Sequence, residues 1–320
     1  MDRRNMIKAL GAAGAALASG KAFAGGETQR AKTPFSVSVK DEKVKLVSPE
    51  ITGKAKIMFI GDAHISYADG LEEPYLGYAS RMHKAFAKRP KIEALQAALK
   101  TAADKKFDLV LLGGDIINFP SEHNIKTLLE AMKNSKVPCK YISGNHDWHF
   151  EGSGADIPQT EVRAKWIKKL EPLFFGENPD GYAVSVGGLK ILMIDDSAHN
   201  ITESQLEWAR RELSDGKPAV FCAHIPLYFP SRKYYAIGSP LWGAATDRSY
   251  KIERRQKRPP RQSPETFAFR ELVIGAPNSL GILAGHTHAL AYDFSDGVFQ
   301  AVCPLFAREG KYITLEIGGA

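Results

Sequence analysis

Cysteine is scarce in this chain. The 320 residues hold three, Cys139, Cys222 and Cys303, a number too small and too odd for a disulfide framework. Each lies in or beside an apolar stretch, so the three read as small buried hydrophobes rather than as a redox pair or metal ligands. That scarcity also speaks against a structural zinc site, which draws on clustered thiolates. Long apolar runs are missing as well. The longest candidate, the small-residue stretch from Ala9 to Ser19, is too short to span a bilayer. Nor is there a uniform excess of charge. The formal net charge is +7 and falls to about +4 without the basic first 24 residues. Arg248 to Arg261 carry seven basic residues and one acid, Glu253, a local excess larger than that remainder, so everything else is slightly acidic. No module that reads nucleic acid is visible, so neither a stable nucleic-acid partner nor a membrane partner is expected.

What the chain does have is a repeated event. Ile57-Met58-Phe59-Ile60 runs into Gly61-Asp62-Ala63-His64, and Leu109-Val110-Leu111-Leu112 into Gly113-Gly114-Asp115. Tyr141-Ile142-Ser143 runs into Gly144-Asn145-His146-Asp147, Val220-Phe221-Cys222-Ala223 into His224, and Gly281-Ile282-Leu283-Ala284 into Gly285-His286-Thr287-His288. Five apolar strands thus each deliver a metal-capable side chain just past their carboxyl ends, where open α/β sheets place their ligands. The donors are Asp62, His64, Asp115, Asn145, His224, His286 and His288. Two carboxylates, one amide oxygen and four imidazoles suit borderline cations such as Zn, Mn or Fe rather than Ca, and seven ligands are too many for one ion. A lone histidine is more often a satisfied core or surface residue; the recurrence at strand ends reverses that reading here.

The remaining elements fit one large α/β domain, 56–320, behind a tether and edge hairpin, 25–55. Period-two alternation predicts the hairpin over Ser36–Val39 and Val44–Leu46. Ile92–Ala103 is an amphipathic helix, Ile125–Met132 and Glu161–Leu170 are helical, and Tyr182–Val186 pairs with Leu189–Ile194 about Gly187-Gly188. Thr202-Glu203-Ser204-Gln205 is a capping box opening a helix to Leu213, and Ser263-Pro264 opens another to Ile274. Ala291–Phe294, Val298–Val302 and Tyr312–Ile317 close the fold. Tyr67–Pro90 shows no clean period and reads as an insertion overhanging the site. A second insert, about 228–262, is basic and aromatic, either a solvated charge run or an anion-collecting flap. Asp195-Asp196-Ser197 reads as turn chemistry. His83, His123 and His199 read as surface residues, while His149 lies closer to the site.

Taken together, Asp62-x-His64, Gly114-Asp115-x-x-Asn118, Gly144-Asn145-His146-Asp147, His224 and Gly285-His286-x-His288, in that order, resemble the calcineurin-like metallophosphoesterase family. The resemblance runs from Lys56 to about Ile317. It implies a four-layer α/β/β/α sandwich of two mixed sheets and two divalent or trivalent metal ions, Mn, Fe or Zn. Asp62, His64 and His288 would hold the first ion, Asp115 would bridge, and Asn145, His224 and His286 would hold the second. His146 would be the catalytic acid at the leaving group. Asp147 beside it would either orient that imidazole or cap a turn. Asn118 departs from the Asp-Arg of the protein phosphatase branch and from the Tyr of purple acid phosphatases.

The expected activity is hydrolysis of small phosphate esters, with a lean toward diesters because the insert could hold a second substituent. A nuclease on the same site, or a silent anion-binding protein, are the alternatives. Residues 1–24 read as an export signal cleaved after Ala24. Arg3-Arg4 and the weakly apolar Ala/Gly core resemble a twin-arginine signal. That implies passage through the twin-arginine translocation machinery to the periplasm or otherwise out of the cytoplasm.

Overall fold

The computed structural model describes residues 31–67, 69, 71, 75–86, 92–150, 158–231, 236–239 and 262–319. The expected export signal and the basic stretch Arg248 to Arg261 lie outside the described residues.

Twelve strands form two six-stranded mixed sheets. The first contains β1 (Ser36–Lys40), β2 (Lys43–Val47), β3 (Ala55–Ile60), β4 (Leu109–Gly113), β5 (Cys139–Ile142) and β12 (Ile313–Gly318), in the order β1-β2-β12-β3-β4-β5. The second contains β6 (Gly181–Val186), β7 (Leu189–Ile194), β8 (Ala219–Cys222), β9 (Ser279–Ala284), β10 (Ala291–Ser295) and β11 (Val298–Val302), in the order β10-β11-β9-β8-β7-β6. Within each sheet the central strands run parallel: β3 with β4 and β4 with β5, then β7 with β8 and β8 with β9. Their carboxyl ends therefore open on one edge of each sheet. The hairpins expected at both sheet margins are present, β1 with β2 and β6 with β7.

Seven helices are described: α1 (Leu76–Phe86), α2 (Ile92–Asp104), α3 (Glu122–Asn134), α4 (Gln159–Phe174), α5 (Glu203–Leu213), α6 (Pro264–Gly275) and the short α7 (Phe306–Glu309). The layer order is written in the strand alternation of the second sheet. In β8, Val220 and Cys222 join the main core with the first sheet, whereas Ala219 and Phe221 join a second core with Leu206 of α5 and Phe269 of α6. A strand that buries both faces is apolar at nearly every position, which is why β4 and β8 read as unbroken runs, and β7 and β9 as runs broken only by Lys190 and Ser279, rather than as alternating ones. The result is the α/β/β/α sandwich that the sequence implied. The capping box is also present: the Thr202 hydroxyl accepts from Gln205 N and the Gln205 amide returns to Thr202 N.

Two expectations need correction. Tyr67–Pro90 is not devoid of periodic structure, because α1 occupies Leu76–Phe86. Its aromatic residues pack inward: Tyr78 lies edge-on to His149 at 5.4 Å, and Tyr75, just before α1, meets Phe150 at 4.8 Å and Trp166 at 5.1 Å. Side chains that looked like an exposed overhang are the helix's own core face. His199 is likewise not a plain surface residue; it is half-buried with its ring 6.0 Å from that of His286.

Candidate metal centre

Five of the seven donors leave their strands through a backbone turn that ordinary side chains avoid. Ten non-glycine residues among those described have positive φ, and five of them are Asp62 (58°), His64 (47°), Asp115 (51°), His286 (68°) and His288 (59°). A left-handed conformation costs a non-glycine residue on the order of 1–3 kcal/mol and persists only where the surroundings over-determine it. Its concentration at the strand ends marks them as places where side-chain aim outweighs backbone comfort. Two glycines make room for the convergence. A Cβ on Gly114, itself at φ +88°, would fall 2.6 Å from His224 Nδ1, and one on Gly144 would fall 2.3 Å from Asp115 Oδ1.

The turns bring six of the seven donors into close groups, and a third group, His64, Asp115 and His146, links the two. Asp62, His64 and His288 present ligand atoms within 4.8 Å of one another, and so do Asp115, His224 and His286. In the first set His64 Nε2 lies 3.1 Å from His288 Nε2, and His288 Nε2 lies 3.3 Å from Asp62 Oδ1. In the second, His224 Nε2 lies 3.2 Å from Asp115 Oδ2 and 3.3 Å from His286 Nδ1. Asp115 also faces the first set, with Oδ2 3.9 Å from His64 Nε2.

The outer nitrogens of two imidazoles are held in a way that fixes their tautomers. His224 Nδ1 sits 3.0 Å from the carbonyl of Gly113, which can only accept, so that nitrogen carries a proton. Asn118 donates its amide to the His64 carbonyl at 3.1 Å, which turns its Oδ1 toward His64 Nδ1 at 2.8 Å. Both histidines therefore aim Nε2 at the cluster, the arrangement in which the far nitrogen of a ligating imidazole is tied to a second acceptor. The role of Asn118 is thus set by its contact with His64, a partner that spacing along the chain does not reveal.

Asn145 Oδ1 is buried with no hydrogen-bond partner. An orphaned buried acceptor is costly unless a cation completes it, and this donor set, rich in nitrogen and oxygen with no thiolate, fits one. The electrostatics point the same way. Burial alone would lower the His224 pKa, but the charge of Asp115 and its hydrogen bond, with Asp62 and Asp196 behind them, raise it to about 10. His64 goes the other way, to about 3, through burial and then the neighbouring His146. Asp115 is held well below the usual carboxylate range by the imidazoles around it, against the opposing pull of burial. The cluster recruits positive charge at the second set.

His146 and Asp147 occupy different positions. The His146 ring stands edge-on to His64, centroids 4.8 Å apart, with Nε2 4.0 Å from Asp115 Oδ2 and a quarter of its side chain exposed at the mouth. Its backbone N donates to Asp115 Oδ1 at 2.8 Å. Asp147 is fully buried beneath, where its carboxylate accepts from the backbone N–H groups of Asp115 (2.8 Å), Ile117 (2.8 Å) and Gly144 (2.6 Å). That is turn-fastening geometry, the second of the two roles open to it. Burial and the charge of Asp115 push its pKa up to about 8. Of the remaining histidines, His149 is buried edge-on to Trp148 at 5.4 Å. His83 Nδ1 meets the Ser66 carbonyl at 3.0 Å, and His123 is exposed, paired with Asp69 at 2.7 Å.

The model of the calcineurin-like phosphoesterases matches residues 55–290, more than half of the chain and all seven donors. The chain belongs to that family. Among curated members, a probable cyclic nucleotide phosphodiesterase from Fibrobacter succinogenes is 27% identical over 131 residues, 40% of this chain and 46% of that protein. The 3',5'-cyclic adenosine monophosphate phosphodiesterase of Escherichia coli K12 is 25% identical over 130 residues, 38% of this chain and 42% of that protein. The match spans less than half the length of these relatives. Among solved structures, a purple acid phosphatase from yellow lupin seeds superposes with a TM-score of 0.50 at 14% identity, over 85% of this chain and 48% of that one. The likeness is one of fold. Family membership, the two-sheet sandwich and the clustered His/Asp donors together give the chain the family's fold and a candidate metal site.

Proposed function

We propose that the chain is an exported, metal-dependent phosphoesterase acting on small phosphodiesters, with two cations held on either side of Asp115. Asp62, His64 and His288 would hold one, and Asn145, His224 and His286 the other. The observation that carries the reading is the buried Asn145 Oδ1, which has no hydrogen-bond partner, together with Asp115, which is common to the groups His64–Asp115–His146 and Asp115–His224–His286. A pair of cations there supplies Lewis acidity, drawing charge from the phosphoryl oxygens and lowering the pKa of water.

The chain's own residues supply the rest. Asn118 and the Gly113 carbonyl fix the inward nitrogens of His64 and His224. Asp147 fastens the turns that carry Asp115 and Asn145. His146 stands at the open mouth and is the group placed to give a proton to the departing oxygen. The lean toward diesters is supported by the two cyclic-nucleotide phosphodiesterases among the relatives and by the basic, aromatic insert. Export is supported by the charged head, the small apolar core and Ala22-Phe23-Ala24.

The test is hydrolysis of bis(p-nitrophenyl) phosphate by the mature protein, with metal content measured alongside. Activity should vanish with a chelator, return with Mn²⁺ or Zn²⁺, and be lost in Asp115→Asn. Chelator-resistant activity would overturn the reading. For export, the mature amino terminus in a periplasmic extract should be Gly25, and Arg3→Lys with Arg4→Lys should leave the protein uncleaved in the cytoplasm.

A further inference from the structure

The strand β7 lies beside β8 in the second sheet, yet it supplies none of the seven donors. It ends instead in Asp195-Asp196, both buried, and each carboxylate is used up on a neighbouring loop. Asp195 reaches across to the first sheet. Its Oδ2 accepts from the Ser143 hydroxyl, in a short hydrogen bond, and from Arg163 Nε of α4 at 2.9 Å. Its Oδ1 accepts from Ser197 N at 2.8 Å and from the Ser197 hydroxyl, which itself accepts from Trp148 Nε1 at 2.8 Å. Ser143 and Trp148 bracket Asn145 and His146, two residues before the one and two residues after the other. Asp196 stays within its own sheet: Oδ1 accepts from His224 N and from Ile225 N, each at 3.0 Å.

We propose that Asp195 and Asp196 are positioning residues that register the two halves of the second ligand set, Asn145 on one sheet, with His146 next to it, and His224 on the other. The physical reason is the place of β5. It is the last strand of the first sheet, so the loop after it has strand neighbours on one side only, and a ladder of backbone hydrogen bonds cannot hold it laterally. A buried carboxylate reaching over from β7 does so. Because Asp195 and Asp196 are adjacent on one strand end, the spacing between the two ligand loops is set by a single dipeptide rather than by the looser packing of one sheet on the other. Arg163, which also pairs with Asp180 at 2.8 Å, places a positive charge 2.9 Å from Asp195 Oδ2 and is one of the four donor contacts on that carboxylate.

This inference rests on the metal reading above, and its test separates the two. Mn²⁺ is titrated by calorimetry into chelator-treated protein, and kcat and KM are measured on bis(p-nitrophenyl) phosphate. The variants are Asp195→Asn, Ser143→Ala and, as a control, Lys190→Met. Lys190 sits at the opposite end of β7, where it bonds Glu212 O at 2.6 Å and Asp215 Oδ2 at 2.9 Å; losing it weakens the fold without touching either ligand loop. Asp195→Asn should weaken the second equivalent of Mn²⁺ by about tenfold or more and lower kcat by about 10–100-fold, leaving KM and the first equivalent within about threefold. Ser143→Ala, which keeps the Asp195–Arg163 pair, should move both in the same direction by less, and it decides the matter if Asp195→Asn does not fold. Lys190→Met should lower the melting temperature and leave the second equivalent unchanged. A second Mn²⁺ affinity within about threefold of wild type in both loop variants would overturn the inference whatever their melting temperatures. If wild type itself binds fewer than two equivalents, the metal reading fails first and this falls with it.

Discussion

The two sheets contribute unlike halves to the site. The first delivers both carboxylates, the amide of Asn145 and one imidazole ligand from the ends of β3, β4 and β5; the second delivers three imidazoles from β8 and β9 and no carboxylate. Positive-φ strain is common to both halves, at Asp62, His64 and Asp115 on one and His286 and His288 on the other, but the anionic half is also fastened by Asp147, whose oxygens collect three backbone N–H groups. The imidazole half is tied more simply, His224 Nδ1 to a carbonyl and His286 N to Asp62 Oδ2 at 3.0 Å. The difference teaches that one sheet supplies the negative charge and the other brings to it imidazoles that this charge polarises, His224 being raised to about 10 by Asp115.

That contrast can be broken or sharpened by substitution. The largest effect is expected from Asp115→Asn, which removes the shared carboxylate: metal analysis should show both equivalents weakened, and kcat/KM should fall roughly a thousandfold or more. His286→Ala, on the imidazole half, should lose one equivalent and leave the other. Next comes His146→Ala, which removes no donor of either ligand set; kcat should drop by about 10²–10⁴ with both metals retained. A variant that lost metal as well would place His146 among the ligands.

A smaller effect comes from pH. In the metal-free protein His224 is raised to about 10 by Asp115, so below that pH it carries a proton on the nitrogen that a cation needs. Binding must expel that proton, and the affinity of the second set should therefore rise with pH, by about tenfold per unit through the neutral range. His64, lowered to about 3, is already neutral there and contributes no such slope to the first set. Calorimetry in buffers of differing ionisation enthalpy reads the proton release directly. The smallest effect is expected from Asn118→Ala, which frees the His64 ring and should weaken the first equivalent by about 10-fold.

Much of this was legible along the chain for a specific reason. Parallel strands buried on both faces are unbroken apolar runs, so their ends stand out, and the donor beyond each end stands out with them. Asp62, His64, Asp115, Asn145, His224, His286 and His288 could be collected on that basis, and the six Asp and His side chains among them lie in close groups. Other features gave no such signal. The period of α1 was hidden because Tyr75 and Tyr78, which pack against Phe150 and His149, resemble side chains reaching for a ligand. Asp195-Asp196 looks like any turn, and nothing in its neighbours announces contacts with Ser143 and His224, 52 and 28 residues away. His199 lies in the loop after β7, beyond every recognisable pattern, yet comes within 6.0 Å of His286.

The amino-acid sequence by itself determined which residues could bind metal and where the strands that carry them end, because hydrophobic run length and residue type are local properties. Only the tertiary structure decided which donors stand together, that Asn118 serves His64, and that Asp147 fastens turns instead of touching the His146 ring. Those are matters of a few ångströms between segments up to 224 residues apart, and they are set by how neighbouring strand ends meet within the first sheet and by how the two sheets pack face to face.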